Sequence, residues 1–243
     1  MPARTVPLAG RTAVVTGASR GIGAATARAL ATAGARVALV ARNENALRAL
    51  ADEIGGDAVV LPCDLTDATA THRAAADAIS ALGDAPDILV SNAGIFELAP
   101  LAEMPLDVFE RTVQTNLVAP FVLLRAFLPR MRERATGHLV TIGSIADRMV
   151  FPENGAYSAA KYGARAMHEV LRAETRGSGV RATLVSPGPV NTPLWDDVLA
   201  QGAGRQLPTR DIMLDPAAVA DAVLYVVTRD VAVNIDELRL THS

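Results

Sequence analysis

The chain has 243 residues, half of them hydrophobic, one fifth charged, and a formal net charge of −3. That length and apolar share fit one α/β domain with a large core, and the slight acidity argues against a general nucleic-acid or membrane-surface binder. A single cysteine, Cys63, rules out an internal disulfide and suits a reducing, cytoplasmic setting.

The first dozen residues contain no apolar run of signal-peptide length, and no stretch is long and apolar enough to span a membrane. Thr12 to Ala18 is a β-branched apolar run that breaks at glycine, as a buried parallel strand does. The turn TGASRGIG follows, from Thr16 to Gly23, and then an alanine-rich helical pattern that ends near Gly34. Strand, glycine turn and helix are the context in which glycines let a backbone approach a pyrophosphate at a helix N-terminus. The spacing here is GxxxGxG, through Gly17, Gly21 and Gly23.

Arg36 to Arg42 reads as the second strand. It ends in Ala41 and Arg42, with no acid at its tip to hold a ribose 2′-hydroxyl. An arginine there attracts a 2′-phosphate, and Arg20 in the glycine turn is a second candidate, so the pair points to NADP(H) over NAD(H). Asp57 to Asp67 is the expected third strand, with Asp64 and Leu65 at its exit, and Cys63 is expected as a small buried residue at the strand end. After a helix from about Ala68 to Leu82, Asp87 to Ile95 is the fourth strand, closed by Asn92, Ala93 and Gly94. Pro105 opens a long helix through Asn116 to about Met131, with a kink expected at Pro120.

Gly137 to Asp147 is the fifth strand, with Ser144 at its tip; His138 just inside it is expected on the surface. Next comes the helix of AYSAAKYG, running to about Arg176. It carries Tyr157 and Lys161, which lie one turn apart on the same face. Lys161 is the only lysine among 23 basic residues, the rest being arginine. A cation beside a phenol favours the phenolate, so Lys161 is expected to lower the pKa of Tyr157 and make a general acid/base of it. Alone, so short a YxxxK pattern more readily describes an exposed surface pair. Val180 to Thr192 is the sixth strand, residues 191–214 an irregular substrate loop with a short helix around Trp195, Asp215 to Asp230 a capped helix, and Asp236 to Leu240 a last short strand. Strands alternate with helices throughout, which predicts a single doubly wound, mostly parallel Rossmann-type sheet flanked by helices.

TGASRGIG, NAG, Ser144, YSAAK and SPG, in this order and spacing, resemble the short-chain dehydrogenase/reductase family over nearly the whole chain. The resemblance implies hydride transfer between a nicotinamide cofactor and an alcohol or carbonyl carbon. It implies Tyr157 as the acid/base, Lys161 as its partner and ribose ligand, Ser144 as donor to the substrate oxygen, and Asn116 as holder of a water that relays protons. For NADP(H) it implies Gly17, Ser19, Arg20, Gly21, Ile22 and Gly23 on the pyrophosphate and adenosine side, Arg42 on the 2′-phosphate, and Asp64 with Leu65 on the adenine. Asn92, Ala93, Gly94, Pro187, Gly188 and Val190 would border the nicotinamide end, and Thr192 would meet its carboxamide. A tetramer or dimer of identical chains follows from the resemblance as well. The C-terminus lacks the family's common glycine-rich strand and tail, which turns the expectation towards small hydroxy acids, aldehydes or varied ketones. No histidine lies in a metal-binding spacing, so no metal is expected. Phe96, Ile145, Met149, Phe151 and Trp195 are expected around a partly apolar pocket mouth. A non-catalytic dinucleotide-binding regulator, and a dehydratase or epimerase on the same fold, are the other readings weighed. The intact Asn116, Ser144, Tyr157 and Lys161 set speaks against the first.

Overall fold

The computed structural model describes residues 7–200, 202 and 207–243. Residue 201 and residues 203–206 of the expected substrate loop lie outside the described residues, as do residues 1–6. Seven strands form one sheet: β1 (Thr12–Thr16), β2 (Arg36–Ala41), β3 (Val59–Pro62), β4 (Ile88–Ser91), β5 (Gly137–Ile142), β6 (Val180–Pro187) and β7 (Glu237–Leu240). Their order across the sheet is β3-β2-β1-β4-β5-β6-β7, and every pairing among them is parallel. β3 to β6 give way to loop four or five residues before the end that the apolar runs suggest, β1 two residues and β2 one, while β7 ends at Leu240 as expected. The residues past the ladder at the C-terminal tips, such as Arg42, Asp64, Asn92 and Ser144, leave the sheet and line a cleft.

Alternate residues of each strand face opposite sides, so the sheet has two cores. Ala13, Val15, Val37 and Leu39 pack with Leu30 of α1 (Gly21–Thr32), Leu47 of α2 (Glu44–Ile54) and Val223 of α8 (Pro216–Val227). Val14, Ala38, Val40 and Leu89 pack on the other side, with Ala78 of α3 (Ala68–Leu82), Phe127 of α5 (Ala119–Glu133) and Leu171 of α6 (Gly155–Thr175). No helix among the described residues is long and apolar enough to cross a membrane.

The long helix expected from Pro105 is interrupted. It runs as α4 (Leu106–Val113), a π-helical turn (Gln114–Val118) and then α5. Pro120 has no N–H, so the α-helical bond to the Asn116 carbonyl cannot form, and the chain widens one turn upstream of the proline. The short segment at residues 196–200 (α7) follows a 3₁₀ turn at Pro193–Trp195, and Asp215 caps α8 by accepting from the Ala217 N–H at 2.7 Å. Cys63 is buried just past β3.

His138 is not on the surface. It is buried and shares a 2.8 Å hydrogen bond with the Thr183 hydroxyl, because β5 is central and both its faces are covered. His168 on α6 is likewise buried, with its Nδ1 2.9 Å from the Thr141 hydroxyl. The second ring nitrogen of each has no polar partner. Burial pushes His138 down to about 3 and His168 down to about 4, aided by the Arg181 and Arg172 charges respectively. Both are therefore neutral in the folded chain, whereas in the unfolded chain they titrate near 6.5. Below that value the unfolded state binds more protons, so stability falls as pH drops, by roughly 2 kcal/mol per histidine between pH 6.5 and 5. Chemical denaturation across this range should show the decline, and His138→Gln should remove about one proton from its slope; an unchanged slope in that variant would contradict the assignment.

Candidate active site

The strand order reverses between β1 and β4: β1, β2 and β3 are laid outward on one side, β4 to β7 on the other. A crevice opens at the C-terminal ends of the strands at such a point. Here Thr16 stitches its two lips. The Thr16 hydroxyl accepts the N–H groups of Asn92 and Ala93, each at 3.0 Å, and the Asn92 amide donates to the Thr16 carbonyl at 2.8 Å. Gly17 has φ +67°, and a Cβ there would stand 2.9 Å from the Ala93 Cα. At Gly23 a Cβ would lie 2.2 Å from the Gly17 carbonyl oxygen. Gly23 thus lets α1 seat against the turn, and it does not line the cleft.

The cleft has a volume of about 990 Å³. Of the residues singled out in the sequence, Gly17, Ser19, Arg20, Gly21, Ile22, Arg42, Asp64, Leu65, Asn92, Ala93, Gly94, Ser144, Tyr157, Lys161, Pro187, Gly188, Val190 and Thr192 all line it. A dinucleotide fits what these residues offer. The first turn of α1 is capped by no side chain and contains no acid, so its N–H groups and partial positive charge face the glycine turn unopposed. Arg20 and Arg42 are exposed at the cleft and form no ion pair among the described residues, whereas Arg28, Arg48 and Arg111 are each tied to a carboxylate. Asp64 folds back onto Thr66, accepting from its N–H at 3.0 Å and its hydroxyl at 2.9 Å, which fixes the loop after β3.

At the other end of the cleft, β5 and α6 bring three polar side chains together. Ser144 stands just past β5, where its Oγ accepts the Ala146 N–H at 3.1 Å, leaving its own O–H to donate. That hydroxyl faces the Tyr157 phenol and favours its ionised form. Lys161 is only 5% exposed; its Nζ donates to the Ile142 carbonyl at 2.9 Å and lies 5.5 Å from the Tyr157 ring centre. Phe96 bridges Tyr157 and Trp195 edge-on, with ring centres 4.8 and 5.1 Å away. Trp195, Ile145 and Phe151 also border the cleft, but Met149 does not.

One expectation changes on this geometry. Lys161 does not lower the Tyr157 phenol: burial pushes it up to about 12, against the Ser144 hydroxyl and with help from the Asp147 charge. Burial likewise brings the Lys161 ammonium down to about 8, against the same Asp147 charge. Asn116 does not reach the cleft with its side chain. It is buried, accepts the Ile95 N–H at 2.9 Å and donates to the Ile95 carbonyl at 3.0 Å, so it pins the loop after β4.

Three contributors have no motif that names them in the sequence: Thr16, the Glu97–Arg111 ion pair at the cleft wall (2.6 Å) and Asp147. Asp147 carried a readable signal. It stands three residues after Ser144, the spacing of a capping box, and its side chain accepts the Ser144 N–H at 3.2 Å.

The family model for short chain dehydrogenases matches residues 11–203. A D-threitol dehydrogenase of Mycolicibacterium smegmatis is 40% identical over 209 residues, which is 83% of this chain and 80% of that protein. A glycine betaine reductase of Emericella nidulans is also 40% identical, over 96% of this chain, but the chain spans only 19% of that protein's length. A crystal structure of a metagenomic short-chain oxidoreductase in complex with NADP is 36% identical, with a TM-score of 0.83 over 98% of this chain and 100% of that one. The chain belongs to the short chain dehydrogenase family.

Proposed function

We propose that this protein is an NADP(H)-dependent carbonyl reductase, or alcohol dehydrogenase in reverse, acting on a small or medium-sized ketone, aldehyde or secondary alcohol. The observation that carries the reading is the meeting of Ser144, Tyr157 and Lys161 at one end of a glycine-lined cleft. The whole chain serves as one cofactor-binding unit, with residues 191–214 as its substrate loop. NADPH, when bound, supplies the hydride. The chain's own residues do the rest. Ser144 and Tyr157 present two O–H donors to the oxygen of a carbonyl, where negative charge builds during reduction. With its phenol pushed up to about 12, Tyr157 holds its proton at neutral pH and is ready to give it up to a developing alkoxide. Lys161, held on the Ile142 carbonyl, keeps a positive charge behind the phenol and reaches the cofactor side of the cleft. The Asn116 carbonyl, denied its α-helical donor by Pro120, is the group to hold a water behind Lys161.

The substrate side joins an aromatic wall of Phe96, Phe151 and Trp195 to the Glu97–Arg111 pair. It suits a compound with both an apolar face and hydroxyl groups, and the threitol dehydrogenase relative adds small polyols to the class. The NADP complex of the similar oxidoreductase, and the unpaired Arg20 and Arg42, support NADP(H). A cytoplasmic location and an oligomer of two or four copies belong to the same reading. Leu106, Phe121 and Val170, exposed on α4, α5 and α6, offer apolar contact for the latter.

Purified protein should oxidise NADPH with members of a panel of ketones, aldehydes and, in reverse, polyols. Tyr157→Phe should cut kcat by about a hundredfold or more while NADPH still binds. Lys161→Arg should lose most activity although the charge is kept, because a planar guanidinium cannot take the place of a compact ammonium at a site 5% exposed. Near-wild-type turnover in either variant would contradict the roles given to these residues. In a separate measurement, Arg42→Asp should raise KM for NADPH by about tenfold or more, worth 1.4 kcal/mol, and leave NADH little changed. A KM for NADPH within about twofold of wild type would remove Arg42 from the phosphate site.

A further inference from the structure

Asp147 is a fully buried carboxylate beneath the proposed catalytic residues, and nothing in the reaction as described uses it. Its contacts come from four directions. From its own turn, the Ser144 N–H reaches its Oδ2 at 3.2 Å and the Arg148 guanidinium reaches its Oδ1 at 2.7 Å. From β6, the Ser186 hydroxyl donates to Oδ2 at 2.6 Å. From α6, Tyr157 and Lys161 face its charge. From β7, Glu237 holds the far side of Arg148 in an ion pair at 2.6 Å. The backbone leaves space for this arrangement. A Cβ on Gly143 would lie 2.5 Å from the Asp147 Oδ2 and 2.6 Å from the Ser186 Oγ, so glycine precedes Ser144 because the carboxylate occupies that volume.

A charge this deep is costly unless paired and hydrogen-bonded, and an apolar residue would fill the same space at lower cost. We propose that Asp147 is a positioning residue for the proton-transfer site: it fixes Ser144 as a donor, presents its charge to Lys161, and is itself fixed to β7 through Arg148 and Glu237. This rests on the reading of Ser144, Tyr157 and Lys161 given above. The two oxygens divide the work. Oδ2 takes the Ser144 N–H and the Ser186 hydroxyl, which sets the start of the Ile145–Asp147 turn and hence the direction of the Ser144 side chain. Oδ1 takes Arg148, which offsets part of the charge and is in turn held by Glu237. The carboxylate charge in turn favours positive charge at Lys161, whose Nζ sits on the Ile142 carbonyl next to Gly143.

Lys161 is the only lysine in the chain, so protein grown on lysine carrying carbon-13 at Cε gives one side-chain signal to titrate. In the wild type its midpoint should lie at about 8. Asp147→Asn should move it down by about half a pH unit or more. Folded Asp147→Asn should also lose about tenfold in kcat, with KM for NADPH within about twofold. An unmoved midpoint or wild-type kcat in Asp147→Asn would overturn the proposal. If Asp147→Asn does not fold, Ser186→Ala, which takes one donor from the same Oδ2, decides alone: it should lower kcat by about threefold or more with the NADPH KM kept, and wild-type kcat overturns the proposal. The titration needs no substrate, so a protein that reduces no carbonyl compound defeats the proposed reaction while the Asp147 test still reads out.

Discussion

Everything at the site hangs on the parallel pairing of β1 with β4. These strands are consecutive neither in sequence nor in the direction in which the sheet is laid, so the loops that follow them diverge and leave a crevice. Left to itself such a seam would gape and leave backbone N–H groups unpaired. The Thr16 hydroxyl and the Asn92 amide close it with three hydrogen bonds of 2.8 to 3.0 Å. Gly17 and Gly23 then permit contacts that a side chain would block, and α1 begins where the cleft needs positive charge. The glycine turn, the NAG segment and the tip of β5 are consequently held in one geometry by the sheet, not by the loops themselves.

The electrostatics of the proton-transfer end follow from burial first and charge second. Raising a phenol from 10 to about 12 disfavours the phenolate by about 3 kcal/mol, a net effect in which the Ser144 hydroxyl has already offset part of the cost of burial. Lys161 does not reverse the balance, because its ammonium is turned onto the Ile142 carbonyl and is itself weakened by burial. An apolar wall thus keeps Tyr157 in its acid form, which suits proton donation to a reduced carbonyl. The Asp147 carboxylate acts on both groups in the same sense, favouring the proton on each.

Much of this was legible in the sequence, and the reasons for the rest are physical. The strand-glycine-helix opening, the seven strands and the helix carrying Tyr157 and Lys161 follow from local apolar pattern and turn chemistry, which the tertiary structure keeps. Strand ends were overextended, because Leu65, Ala93 and Ile95 look like strand to a pattern reading but lie past the ladder. The π turn at Gln114–Val118 has no signature beyond Pro120, and its cause acts one turn away. His138 was misplaced because its neighbours in sequence, Gly137 and the arginines before it, suggest surface, whereas its neighbours in space are Thr183 and the far face of the sheet. Asn116 is read from the sequence as the holder of a water, yet its side chain serves the Ile95 backbone, a contact across 21 residues that no spacing reveals. The pairing of Asp147 with Ser186 spans 39 residues and is hidden for the same reason, although its capping-box spacing from Ser144 is local.

The central claim is that this cleft carries hydride directly between a nicotinamide and a carbonyl carbon, with the proton supplied by the protein. It is tested most directly by following label. Reduction of a turned-over ketone with NADPH deuterated at the transferring position of nicotinamide C4, in ordinary water, should place the deuterium on the new carbinol carbon and protium on its oxygen. Product whose carbinol carbon carries protium from solvent, or product formed with the cofactor's label retained, would contradict the account.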